Sequence, residues 1–166
     1  MALVVEDGTG KIDSESYISV TDATSYHTLR GNSDWALITD KEAALRKATD
    51  YMLQAYRKLW LGYRVTSTQA LDFPRSDIYL YDYSEPVLVS ETIVPIEIKN
   101  ACAELALKTY TDEFLLSDEE QKVIQEIVGP ITVKYSDNST TPTKKYSSIN
   151  AMLKSFLRTS GLQVIR

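Results

Sequence analysis

Apolar residues recur along this chain at helical spacing in four places. Ala44, Ala48, Tyr51, Met52, Ala55 and Leu59 stand three or four apart, which predicts a helix from about Asp40 to Trp60, opened by a capping box of Thr39 with Glu42. Arg46, Asp50, Gln54 and Arg57 form its polar face. Upstream, Ser19 with Asp22 makes an approximate box for a helix from about Thr21 to Arg30, and Gly31 is placed to stop it. Pro95 suits a first helical position, and Ile98, Ala101, Cys102, Leu105 and Thr109 then share one face. Ser147 or Ser148 can cap a short last helix carrying Ile149, Met152, Leu153 and Phe156, which stops at Gly161.

Between the helices the patterns are shorter. Ala2 to Val5, the turn Asp7-Gly8-Thr9-Gly10 and Tyr17-Ile18 predict a strand, a turn and a return strand. From Gly62 to Val94 no period persists, and Pro74 and Pro86 oppose regular helix or central strand. Connections of this length usually have a task of their own. Tyr79, Tyr81 and Tyr83 alternate there, as a short exposed strand or an arm reaching a neighbour would. Residues 117–128 read two ways, as a helix capped by Ser117 or as a strand pairing with the alternating Ile131, Val133 and Tyr135. The expected fold is mainly α with small β elements: a compact core of three to four helices, a short β-hairpin, a long irregular loop and a C-terminal helix and tail. Residues 1–135 form the core in this reading, 136–146 a polar linker, and 147–166 a C-terminal helix and docking tail.

Composition narrows the function. The chain has 166 residues, enough for one domain that buries about 70% of its unfolded surface. Its net charge of −5 opposes attraction to a polyphosphate, so a dedicated duplex binder is not expected. A single cysteine excludes an internal disulfide, and without a leader or a long apolar run the chain reads as soluble and made in a cytoplasm. Its 11 tyrosines favour buried contact surfaces, between subunits or within a core.

Catalytic chemistry finds little support. One His and one Cys, far apart, give no zinc pattern. His27 reads as a solvated or hydrogen-bonded surface histidine, and Cys102, on an apolar stripe, as a small inert hydrophobe. Gly8-Thr9-Gly10-Lys11 lacks the first glycine and the closing Ser or Thr of a phosphate loop. Asp118-Glu119-Glu120 suits a helix start or a solvated turn better than a cation site. No enzyme, metal or cofactor is therefore expected. One stretch does carry binding chemistry: Tyr56, Arg57, Lys58, Trp60, Tyr63 and Arg64 interleave rings with cations, as single-strand binders do, although on a helix Tyr56 would face the core.

Three further segments occur in a characteristic order: Thr68-Gln69-Ala70-Leu71-Asp72-Phe73-Pro74-Arg75, Val94-Pro95 opening an alanine-rich helix, and Val128-Gly129-Pro130-Ile131-Thr132-Val133-Lys134-Tyr135. With residues 1–10, Ser19 to Ala23, Tyr26-His27 and Ala48 to Tyr51, they span most of residues 1–135. In this order the chain resembles the head-to-tail connector, or adaptor, proteins of tailed bacteriophages, a family also described as DnaT-like single-stranded DNA-binding proteins. The resemblance implies a structural subunit of the virion neck, made in the host cytoplasm and assembled as a homo-oligomeric ring of about twelve copies, a number taken from the symmetry of portals. Its partners would be the portal protein, a tail-side stopper or terminator protein, and DNA passing through the channel. It also favours an extended pair around Gly129-Pro130. On this reading Tyr79, Tyr81 and Tyr83 are candidate subunit contacts, and Phe156, Leu162, Val164 and Ile165 candidate anchors on the portal. The alternative is a replication accessory that binds single-stranded DNA through residues 56–64.

Overall fold

A computed structural model describes residues 2–111, 125–128, 131–134 and 146–158. The chain divides into two compact units, one of Met1–Leu115 with Tyr146–Arg166 and one of Leu116–Lys145. In the larger unit α1 spans Val20–Leu29, α2 Lys41–Tyr56, α3 Ile96–Thr111 and α4 Ser147–Leu153. Among the described residues the β structure is three antiparallel pairs: β1 (Tyr63–Arg64) with β2 (Arg75–Ser76), β3 (Tyr79–Leu80) with β4 (Val87–Leu88), and, in the smaller unit, β5 (Gln125–Val128) with β6 (Ile131–Lys134). The fold is mainly α with small β elements, as the periodicities indicate.

α3 is the central element, packed against α1, α2 and α4. Ile98, Ala101, Cys102, Ala103, Leu105 and Ala106 are each 0% exposed, so burial extends beyond the single stripe that the spacing predicts. Small side chains allow this, because alanine lets neighbouring helices approach closely without leaving voids. Pro95 stands just before α3, and its carbonyl accepts from the N–H groups of Ile98 and Lys99. α2 buries Ala44, Leu45, Ala48, Thr49, Tyr51, Met52 and Tyr56. Its cap is Asp40, which accepts from the Ala43 N–H at 2.9 Å, in place of the expected Thr39. The Ser19 cap on α1 stands as expected, accepting from the Asp22 N–H at 3.0 Å and donating to the Asp22 carboxylate at 2.8 Å.

Three local expectations differ. α2 ends at Tyr56, four residues before Trp60, because Trp60 leaves the helix to bury its ring and forms an antiparallel bridge with Leu157. The N-terminal hairpin reduces to one parallel bridge between Val5 and Ser16, for the chain there wraps around a buried carboxylate. Glu6, 1% exposed, accepts from the N–H groups of Gly8, Gly10 and Lys11 and from the Ser14 hydroxyl. Gly8 has φ +105°, and a Cβ there would lie 2.0 Å from the Thr92 carbonyl oxygen, so only glycine fits. Finally, residues 146–158 belong to the larger unit. Ile149, Leu153 and Phe156 are buried, the Tyr56 hydroxyl donates to Asn150 at 2.6 Å, and the Leu61 N–H donates to the Phe156 carbonyl. Of residues 117–128, the described Gln125–Val128 are strand, pairing with Ile131–Lys134 as the extended reading holds; residues 117–124 lie outside the described residues, as do 136–145 of the expected linker.

His27 is hydrogen-bonded but not on the surface. It is 0% exposed, with Nε2 3.1 Å from the Ala103 carbonyl and Nδ1 3.0 Å from the Asn32 amide. A proton on Nε2 satisfies both contacts, so the ring is held as one neutral tautomer that ties α1 to α3. Sequence spacing could not show this, because a histidine beside Tyr26 looks the same in or out of a core. Burial lowers the His27 pKa from its ordinary value. The unfolded chain therefore takes up a proton at His27 before the folded protein does, and stability from this residue, complete above about pH 6.5, declines as pH falls toward the depressed folded value. The stability difference between the wild-type protein and His27→Gln, measured by urea unfolding at pH 7.5 and 5.5, should shrink at the lower pH by at most about 1.4 kcal/mol per pH unit.

Candidate nucleic-acid interface

The segment Thr68 to Arg75 is built around polar groups that face inward. Asp72 is 1% exposed; its Oδ1 accepts from Arg57 Nε at 3.0 Å and its Oδ2 from Trp60 Nε1 at 3.1 Å. Its backbone N–H donates to the Tyr17 hydroxyl at 3.0 Å, and its carbonyl accepts from Arg75 at 3.2 Å. Burying a carboxylate is costly unless each oxygen is paired, and here both are. Gln69, 2% exposed, donates to the carbonyls of Leu71 and Pro74 and accepts from the Thr66 N–H, closing the loop on itself. Arg75 donates to the Leu61 and Gly62 carbonyls at 2.7 and 2.8 Å. Gly62 has φ +61°, and a Cβ on it would meet the Ser76 carbonyl oxygen at 2.0 Å. The Phe73-Pro74 peptide is cis, and the Phe73 ring packs edge-on against those of Tyr17, Trp60 and Phe156.

That inner frame fixes what the outer surface offers. Tyr56 and Trp60 are 5% and 1% exposed, so two of the rings proposed to stack on bases are core residues, with centroids 5.6 Å apart. Tyr63 is 66% exposed and Arg64 and Lys58 are also exposed, while Arg57 is half-exposed as it reaches back to Asp72. Arg158 joins them: it is exposed, and its backbone N–H donates to the Leu59 carbonyl at 2.7 Å, so α4 and the turn that follows bring a cationic residue from the far end of the sequence to the backbone next to Lys58. Buried Arg75 feels this setting. Burial lowers its pKa, and the nearby Arg158 and Arg64 push the same way against the pull of Asp72.

A family model described as "Putative DnaT-like ssDNA binding protein" matches residues 1–166. The chain belongs to this DnaT-like family. No curated protein and no solved structure matches it. In this DnaT-like chain the Thr68 to Arg75 motif is scaffold, and the exposed Lys58, Tyr63 and Arg64 lie in the segment before it. Arg158 was missed from sequence because nothing local links it to residues 57–64.

The other candidate residues fall elsewhere. Tyr79, Tyr81 and Tyr83 are 43%, 77% and 59% exposed on the β3–β4 ribbon. Phe156 is 2% exposed against Phe73, so its ring is occupied within the chain and is not offered to a portal; Leu162, Val164 and Ile165 lie outside the described residues. Cys102 is buried beside the Thr49 hydroxyl at 3.5 Å, and burial raises its pKa, as for an inert thiol. Among the described residues no group of His, Cys, Asp and Glu could hold a metal ion, and no helix is long and apolar enough to cross a membrane.

Replacing Asp72 with Ala leaves the buried Trp60 N–H without its acceptor and Arg57 without its ion pair. The expected loss of stability is about 2–4 kcal/mol by urea unfolding, with Asp72→Asn, which keeps one carbonyl acceptor, losing less.

Proposed function

We propose that this DnaT-like protein binds single-stranded DNA on the face formed by Lys58, Tyr63, Arg64 and Arg158. The observation that carries the reading is that Lys58, Tyr63, Arg64 and Arg158 are all exposed, with the Arg158 backbone N–H on the Leu59 carbonyl and both Arg64 and Arg158 close enough to act on Arg75, in a chain whose net charge is −5. Cations follow a phosphate backbone, and a tyrosine face stacks a base for about 1–3 kcal/mol without regard to sequence. With one accessible ring in place of three, the contact would be dominated by charge. The family description supports the same reading. A fluorescent oligo-dT titration should show binding that weakens steeply with salt, roughly with a slope of −0.7 per phosphate neutralised on a log–log plot. Lys58→Glu with Arg64→Glu should abolish it and Tyr63→Ala should weaken it about tenfold; binding indifferent to these changes sinks the reading.

A second reading is favoured by the exposed tyrosine ribbon: a connector subunit of a phage neck, ringed about the DNA path in about twelve copies by resemblance, and bound to the portal and a tail-side protein. It asks for no catalytic group, metal or cofactor. With Phe156 occupied within the chain, docking to a portal would fall to the tail carrying Leu162, Val164 and Ile165. Deleting residues 161–166 should then abolish co-sedimentation with portal rings, and unchanged co-sedimentation would remove that assignment.

A further inference from the structure

The charges in this part of the chain are segregated. Residues 51–71 carry Arg57, Lys58 and Arg64 and no acid, whereas residues 76–98 carry Asp77, Asp82, Glu85, Glu91 and Glu97 and no cation. The acidic segment includes the β3–β4 ribbon, whose base is pinned by Ile78, 0% exposed, and by the Val89 N–H donating to the Ile78 carbonyl at 2.9 Å. Beyond that base the ribbon turns outward. Tyr79, Tyr81, Tyr83, Val87 and Leu88 are 43–77% exposed, and β3 and β4 pair only with each other. An exposed apolar group of this kind, set among acids, is the composition of a contact surface with an electropositive counterpart. The chain itself carries that counterpart in Lys58, Arg64 and Arg158.

We infer that the acidic tyrosine ribbon docks on the basic Lys58–Arg158 face of a second copy of this chain. The tyrosines supply buried area, since their rings pack with little loss of conformational freedom, and the opposed charges select the orientation. Because the two surfaces differ, the contact can repeat from copy to copy. This deepens the assembly reading and rests on it, although it requires no portal. It also makes one face serve two ligands, so oligonucleotide and a second copy would compete for it.

Charge reversal tests the pairing on the full chain. Sedimentation velocity in 50 mM salt should show association that weakens at least tenfold in 500 mM salt. Asp82→Lys with Glu85→Lys, and separately Lys58→Glu with Arg158→Glu, should each stay monomeric, all four side chains being exposed and circular dichroism confirming the fold. Mixing the two variants should restore association, because every contact between unlike variants again joins opposite charges. A wild-type chain that remains monomeric in low salt, or variants that associate unchanged or fail to do so when mixed, overturns the inference. Portal co-sedimentation of the same variants separates this failure from that of the connector reading: retained portal binding with no self-association removes only the ribbon contact.

Discussion

The Asp72 carboxylate is the interaction on which the larger unit depends. It lies within a protein interior at 1% exposure, and its two oxygens are held by groups from the end of α2. A buried carboxylate without partners would be among the costliest features a fold could carry. With partners it acts as a bolt, because each partner is then constrained in turn. Trp60 must leave the helix to reach it, Arg57 must fold back toward it, and Tyr17 must bring the N-terminal segment to its backbone N–H. The rings that gather there, Tyr17, Trp60, Phe73 and Phe156, join the N-terminus, the end of α2, the long loop and the C-terminal turn in one contact. Edge-on aromatic pairs of this kind add directionality to burial that would otherwise be non-specific.

A stretch without periodicity is thus held by many specific hydrogen bonds. Residues 62–78 have almost no regular structure, yet the side chains of Gln69 and Arg75 satisfy backbone groups that a helix or sheet would otherwise satisfy internally. Side chains stand in for secondary structure, which is why a motif with no catalytic look can still be so particular in its residues. The cations left at the edge of this frame, Lys58, Arg64 and Arg158, are exposed, and Arg64 holds to the frame by one bond to the Gln69 carbonyl at 3.3 Å. Arg75 shows the difference, being a guanidinium used entirely for holding carbonyls. Binding chemistry and structural chemistry here use the same residue types, and only burial tells them apart.

The helices were legible wherever one side met the core and the other met water. α2 showed its apolar positions at three- and four-residue spacing, and α1 showed its Ser19 cap. Where burial was nearly complete the pattern lost meaning: Ala103 and Ala106 carry no sign that marks them as more buried than any other alanine. Of the ring-and-cation stretch, two rings proved to be buried and one exposed. Tyr56 lay on the core stripe of α2, but Trp60 was displaced inward by a hydrogen bond to Asp72, 12 residues away in sequence. His27 was assigned to the surface for the same reason, since its partners Asn32 and Ala103 lie on other elements.

By itself the sequence determined what depends on neighbours within a few turns: the Ser19 cap of α1, the core face of α2, and the exposed alternation of Tyr79, Tyr81 and Tyr83. Only the tertiary structure decided which of the mixed residues are used up inside. It buried Tyr56, Trp60, His27 and Phe156, left Tyr63 outside, and placed Arg158 beside Leu59. Periodicity is a property of consecutive residues, whereas a hydrogen bond between positions far apart is not encoded by either position alone. It forms when the folded chain brings them together.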